Sequence, residues 1–182
     1  MNLDSRKLLK LLIVEDDEDS RTLLQVLVSE SPLPIDQVKA AESLDVAFQL
    51  LEENNFDVVL LDLDLPDSKG LDTLIRVTKK CPGRAIVVIT GEYDEDFGPK
   101  AVAMGAQEYL IKGKHDKYML SKSIEYAIER KRTYEIINRK QKNLEAIFDA
   151  VSIGMLLIDE NMVVRRVNNA VRQMVLKEYL QI

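Results

Sequence analysis

Residues 56–70 read FDVVLLDLDLPDSKG, and this stretch decides the architecture. Phe56-Asp57-Val58-Val59-Leu60-Leu61 reads as a strong central strand. It ends in Asp62, with Asp64, Pro66 and Asp67 just beyond and Gly70 closing the turn. Pro, Asp and Gly are turn formers, so the strand stops there. The stripe Leu71, Leu74, Ile75 and Thr78 then predicts a helix.

The same alternation continues on both sides. Leu8 to Val14 is an apolar run broken only by Lys10, as in a strand covered on both faces. Leu23, Leu24 and Leu27 recur at helical spacing. Ile35 to Ala41 predicts an edge strand, and Ser43 an N-cap ahead of Leu44, Ala47, Phe48 and Leu51. Ala85 to Ile89 and Glu108 to Ile111 predict two further strands. Gly98-Pro99 lies where the helix between them belongs, so that helix is expected to start near Pro99 or to kink there. Five strands separated by helices predict an α/β fold with a doubly wound five-stranded parallel sheet. Such sheets gather their chemistry at the carboxyl ends of the strands.

From Lys117 to about Val151 the chain has no Gly or Pro, and at 1.5 Å per residue a helix there would span about 50 Å. Ile124, Ala127, Ile128, Tyr134, Ile137, Leu144, Phe148 and Val151 recur about every three or four residues along it. Pairing with a second copy through 117–151 would cover such a stripe, as would folding back on its own domain. Ser152-Ile153-Gly154 breaks the helix. Met155 to Asp159 and Met162 to Val167 then predict a hairpin, and Asn168-Asn169-Ala170 starts a helix. One hairpin and one helix bury little surface, so this partial α+β segment is expected to open a larger domain. The organisation expected is a core at 1–116, a connecting helix at 117–151 and a fragment of a second domain at 152–182.

An apolar fraction of 46% allows a proper core, while no run of 18 apolar residues is present to span a membrane. Met1-Asn2-Leu3-Asp4 does not begin a secretory signal. One cysteine, Cys81, cannot make an intrachain disulfide, and a cytoplasmic setting is expected. With one Cys and one His there is no zinc cluster. Residues 1–113 carry 12 Lys/Arg against 22 Asp/Glu, whereas 114–143 carry 9 against 4. The acidic part would repel nucleic acid. Arg130-Lys131-Arg132 and Arg139-Lys140-Gln141-Lys142 lack an aromatic platform or helix-turn-helix, so no direct nucleic-acid binding is expected.

The first strand ends in Glu15-Asp16-Asp17-Glu18-Asp19 and the third in Asp62. If these strands are neighbours, Glu15, Asp16 and Asp62 converge and repel unless a cation joins them. A hard divalent ion with oxygen ligands, magnesium first among them, answers that need. Acidic residues at strand ends are also ordinary solvated loop residues, and the cluster alone does not separate the two readings. Two more strand ends bear on it: Thr90-Gly91 supplies a hydroxyl and room, and Lys112-Gly113 an ammonium. Taken singly, Thr90 is a routine strand residue and Lys112 a snorkelling one. Together, carboxylates, a hydroxyl and a lysine are the parts for phosphoryl transfer onto an acid, with Asp62 attacking in line.

LLIVEDDEDSR at 11–21, FDVVLLDLDLPDSKG at 56–70, IVVITG at 86–91 and GAQEYLIKG at 105–113 together resemble the receiver domain of two-component response regulators, a flavodoxin-like, chemotaxis-type fold. The resemblance spans nearly all of residues 8–130. It implies Asp62 as phosphoacceptor, Asp16 as direct Mg2+ ligand, Glu15 acting mainly through water, and the backbone carbonyl of Asp64 as another ligand. It implies Thr90 as the switch hydroxyl, Tyr109 as the aromatic rotamer switch and Lys112 as the phosphate-pairing lysine. A histidine kinase or phosphotransfer protein is the implied donor, with the receiver itself catalysing transfer. One departure is Gly113, where the family usually has Pro after a cis bond; a Lys112–Gly113 bond is expected to be trans. Residues 143–172 resemble the opening of a PAS sensor domain, preceded by a signalling helix; an unrelated hairpin is the alternative. The ligand-binding part of that fold is absent, so no cofactor is implied by it. A histidine kinase, a cyclic-dinucleotide enzyme or another effector can follow such a pair.

Three other classes compete with this one. A nucleotide-binding enzyme lacks its Gly-rich cradle, since the loop after the first strand is Glu15-Asp16-Asp17-Glu18. A receiver-fold adaptor that is never phosphorylated would share every motif and differ only in reactivity. Nucleic-acid binding through the basic stretch is the third.

Overall fold

The computed structural model describes residues 8–91 and 97–179; Met1-Asn2-Leu3-Asp4 lies outside them. The first half runs β1 (Leu9–Val14), α1 (Glu18–Ser29), β2 (Ile35–Ala41), α2 (Leu44–Glu53) and β3 (Val58–Asp62). A miniature hairpin follows, β4 (Asp64–Leu65) against β5 (Ser68–Lys69), where the sequence predicted only a turn. Then come α3 (Gly70–Lys80), β6 (Ala85–Thr90), α4 (Phe97–Ala103), β7 (Glu108–Ile111) and α5 (Lys117–Ala150). The chain continues as β8 (Leu156–Ile158), β9 (Val164–Val167) and α6 (Asn169–Tyr179).

The main sheet is five-stranded, in the order β2-β1-β3-β6-β7, and every pairing in it is parallel. Strand alternation explains why its sequences are apolar throughout. Leu12, Val14, Val59, Leu61, Ile86 and Val88 face one core with Leu44 of α2 and Leu74 of α3. Leu11, Ile13, Val58, Leu60, Val87 and Ile89 face the other, with Leu24 and Val28 of α1 and Leu120 and Ile124 of α5. Both faces are covered, as parallel sheets require. β2 lies at an edge and most of its side chains are only half-buried.

Two helix faces differ from their predicted stripes. Leu23 is 52% exposed, because α1 turns Leu24 and Val28 inward, one helical turn apart. In α3 the buried residues are Thr73, Leu74 and Val77, while Ile75 and Thr78 sit at the margin. Thr73 is buried because its hydroxyl donates to Leu63 O at 3.0 Å. Pro99 falls in the first turn of α4, where a missing N–H removes no helical bond.

The chain divides into two compact units, Met1–Arg132 and Thr133–Ile182, with the division inside α5. In the first, Leu120, Ile124, Ala127 and Ile128 bury the start of α5. In the second, β8 and β9 pair antiparallel. Asp159 shapes their turn, accepting from the amides of Asn161 and Val163 at 2.9 Å each and pairing with Arg165 at 2.6 Å. Those amides, with Arg165, hold its carboxyl below the usual range. Arg166 pairs with Glu145 at 3.4 Å and lies over the Phe148 ring.

Asn168 is fully buried and uses its whole amide. Its Oδ1 accepts from Met155 N at 3.0 Å and Val171 N at 3.2 Å. Its Nδ2 donates to Val151 O at 3.1 Å and Ile153 O at 2.9 Å. One side chain thus joins the segment after α5, the start of the hairpin and the first turn of α6. Replacing Asn168 by Leu is expected to destabilise the second unit by about 2–4 kcal/mol, since several backbone groups lose their partners. Amide hydrogen exchange should show protection lost at Met155 and Val171 while the amides of β3 and β6 keep theirs; unchanged exchange at Met155 and Val171 would refute it.

Candidate functional site

Parallel pairing brings the predicted residues to one rim. Val14 pairs with Leu61, so Glu15 and Asp62 stand side by side where β1 and β3 end. Asp62 pairs with Ile89 and Thr90 with Ile111, which puts Thr90 and then Lys112 at the same rim. The backbone of Lys112 continues that register, its N–H donating to Thr90 O at 2.8 Å. Glu15 is fully buried, Asp62 is 4% exposed and Thr90 is buried, whereas Asp16 faces solvent.

Lys112 reaches across the end of β6 to both buried acids. Its Nζ donates to Asp62 Oδ2 at 2.8 Å and to Glu15 Oε1 at 2.8 Å. Glu15 Oε2 is as close, at 2.7 Å, but out of line for a hydrogen bond, and is left buried without a donor. Burial pushes the Glu15 carboxyl up from its ordinary value, against the pull of Lys112, and the charge of Asp62 adds to the rise. For Lys112, burial works against the charged form. The hydrogen bonds it donates to Asp62 and Glu15 outweigh it and hold the ammonium above its ordinary value. The Lys112 contribution to stability is therefore present in full below about pH 10.5 and is lost only as pH rises past that raised value.

Oxygen atoms from Glu15, Asp16 and Asp62 all lie within 4.8 Å of one another. Three carboxylates against one ammonium leave negative charge over. An all-oxygen set of this size fits a hard divalent ion, because such ions take carboxylates, carbonyls and water. Asp64 is beside it, its N–H donating to Asp62 Oδ1 at 3.3 Å.

Several supporting residues were not singled out from the sequence. Arg21 Nη1 donates to the carbonyls of Glu15 at 2.8 Å and Asp16 at 3.0 Å, tying the acidic loop to α1. Asp17 caps α1 through Ser20 N at 2.8 Å. The acid-then-serine spacing Asp17–Ser20 at a helix start was the available signal. Tyr109 is 39% exposed, and its ring lies so close over Gly98 of α4 that a Cβ there would clash with it. Among the described residues, a Cβ on Gly91 would meet nothing within 4 Å. The Lys112–Gly113 bond is trans, and Gly113 has φ of +71°.

Of the basic stretch, Arg130 pairs with Glu108 at 3.4 Å and donates to Gln107 O, and Lys131 donates to Pro82 O. Those charges are engaged by the domain itself.

Because Glu15 holds its proton to a pH above the ordinary 4.5, divalent-ion affinity should fall as pH drops toward that range, earlier than a free glutamate would dictate. Calorimetric titration with Mg2+ between about pH 5 and 8 checks this. An affinity flat across that window would show that Glu15 takes no part.

The family profile described as "Response regulator receiver domain" matches residues 11–125, and that of the PAS domain matches 142–178. The sensory transduction protein LytR of Staphylococcus epidermidis is 32% identical over 104 residues, which are 57% of this chain and 40% of LytR. The response regulator protein PilR of Pseudomonas aeruginosa is 32% identical over 103 residues, 57% of this chain and 22% of PilR. These matches span well under half of either relative. Among solved structures, a response regulator receiver domain protein from Clostridium thermocellum is similar with a TM-score of 0.60 and 30% identity, covering 70% of this chain and 99% of that one. With the acids, hydroxyl and lysine on one rim of a five-stranded parallel sheet, the chain belongs to the response regulator receiver family, and a PAS-like segment follows the receiver.

Proposed function

We propose that Asp62 is the phosphoacceptor of this receiver and that its state passes along α5 to a downstream domain. The observation that carries the reading is the Lys112 ammonium, 2.8 Å from Asp62 at a rim where Glu15 and Asp16 leave a cation's place. A carboxylate oxygen of Asp62 attacks phosphorus in line. The P–N bond of the donor phosphohistidine breaks, its electron pair stays on the imidazole, and an aspartyl phosphate forms. Family membership implies a histidine kinase or phosphotransfer protein as that donor.

Magnesium is the ion of this reading, held by Asp16, Asp62, the Asp64 carbonyl and, through water, Glu15; when bound it would offset charge on the phosphoryl oxygens. Lys112 exchanges its bond with Asp62 for one with a phosphoryl oxygen. The Thr90 hydroxyl moves toward another, and Tyr109 leaves Gly98 for the space vacated. In this reading 1–116 are the receiver core, 117–151 the last receiver helix continuing as the connecting helix, and 152–182 the start of the PAS-like part. No helix among the described residues is long and apolar enough to cross a membrane, and a cytoplasmic setting completes the reading.

Incubation with acetyl phosphate and Mg2+ should add one phosphoryl group by intact mass, and Asp62→Asn should abolish it. A chain that stays unmodified while a control receiver is labelled would identify an adaptor instead.

Pairing of 117–151 with a second copy belongs to the same proposal. Tyr134, Ile137 and Leu144 are 57–67% exposed, and with Gln141, Phe148 and Val151 they repeat at alternating steps of three and four. Light scattering should give a dimer that Ile137→Glu converts to monomer. A monomer both with and without a phosphoryl mimic would refute the pairing.

A further inference from the structure

The carboxylate of Asp67 is bonded outside its own loop. It lies in the bend between β4 and β5, yet Oδ1 accepts from Leu44 N at 3.0 Å and Oδ2 from Asp45 N at 2.9 Å. Those are the first two amides of α2, whose own N-cap, Ser43, accepts from Val46 N at 3.3 Å. The amides of Leu44 and Asp45, with Arg76 nearby, hold the Asp67 carboxyl below its ordinary value despite some burial. The α2 N-terminus thus carries two caps, one local and one from a loop 23 residues away.

Ser43 satisfies one of the free amides at this helix start and Asp67 two more, while Leu44 and Ala47, both fully buried, also fix α2. The loop has more to gain. A hairpin of two-residue strands is marginal by itself, and this one carries Asp64 beside Asp62. It is held at both ends. Leu63 O accepts from Gly70 N at 2.9 Å and from the Thr73 hydroxyl, and Arg76 Nη1 donates to Asp67 O at 3.1 Å. Leu63 and Leu65 are buried beneath. Among these ties, the Asp67 carboxylate is the one to α2, and it is charge-assisted in both bonds.

We infer that Asp67 is a positioning residue for the rim: by gripping the α2 N-terminus it sets the backbone that presents Asp64 beside Asp62, and so sets divalent-ion affinity. The inference rests on the reading of this rim as a magnesium-dependent phosphorylation site. Ser43 provides the control, since it caps the same helix and does not touch the loop.

Titration of the full chain with MgCl2 alone, without any phosphodonor, separates the two roles. Ser43→Ala should bind as the parent does, and Asp67→Ala about tenfold more weakly. Asp67→Asn, which keeps one acceptor oxygen, should fall between and serves if Asp67→Ala does not fold. Thermal melts of the two alanine variants should be lowered alike, as expected for two caps on one helix. Equal Mg2+ affinities for Ser43→Ala and the Asp67 variants would overturn the inference while leaving the rim intact. A parent chain that binds no Mg2+ would sink the rim reading itself, and the inference with it.

Discussion

A single ammonium holds together two carboxylates that would otherwise drive each other apart. Lys112 Nζ lies 2.8 Å from Asp62 and 2.8 Å from Glu15, and both acids are buried. Ionised groups leave water at a large free-energy cost, so they remain ionised only with partners in place. The strand order makes this possible, because β1, β3, β6 and β7 run parallel and end at one rim. Had β7 run antiparallel, the lysine would stand at the far end. One ammonium does not balance three acids, however, so the rim keeps negative charge that a divalent ion is able to offset.

The surroundings of that rim are tied unevenly. On one side, Arg21 clamps the carbonyls of the β1–α1 loop and Asp67 links the β3–α3 loop to α2. These groups bind backbone, so they fix the ligand-bearing loops. On the other side, Tyr109 is half-exposed with its ring against Gly98. The acidic loops are thus tied through their backbone, while the aromatic ring of β7 is not enclosed. Small local movement at a packed switch is how such modules pass on a signal.

Much of this was legible in the residues. Parallel strands buried on both faces read as unbroken apolar runs, so β1, β3 and β6 stood out; their ends named Glu15, Asp62 and Thr90, and the end of β7 named Lys112. Ser43 was legible because an N-cap is a local device. Asp67 as a cap was not, since its partners lie 23 residues back and only the folded register brings them near. Leu23 misled because three leucines at nearly one spacing do not say which of them faces the sheet. The contacts of Gly98 and Asn168 were not legible for the same reason as those of Asp67: the ring over one and the four groups around the other come from other parts of the chain.

Gly113 limits the routes by which this sequence can change. Its φ of +71° lies where L-residues are strained, although a Cβ there would meet nothing within 4 Å. Spare room therefore does not make the position permissive, and most replacements would cost about 1–2 kcal/mol in backbone strain. Proline is the least compatible of all, because its ring fixes φ near −65°. The bend that leads from Lys112 toward α5 is therefore held to glycine by backbone torsion and not by crowding.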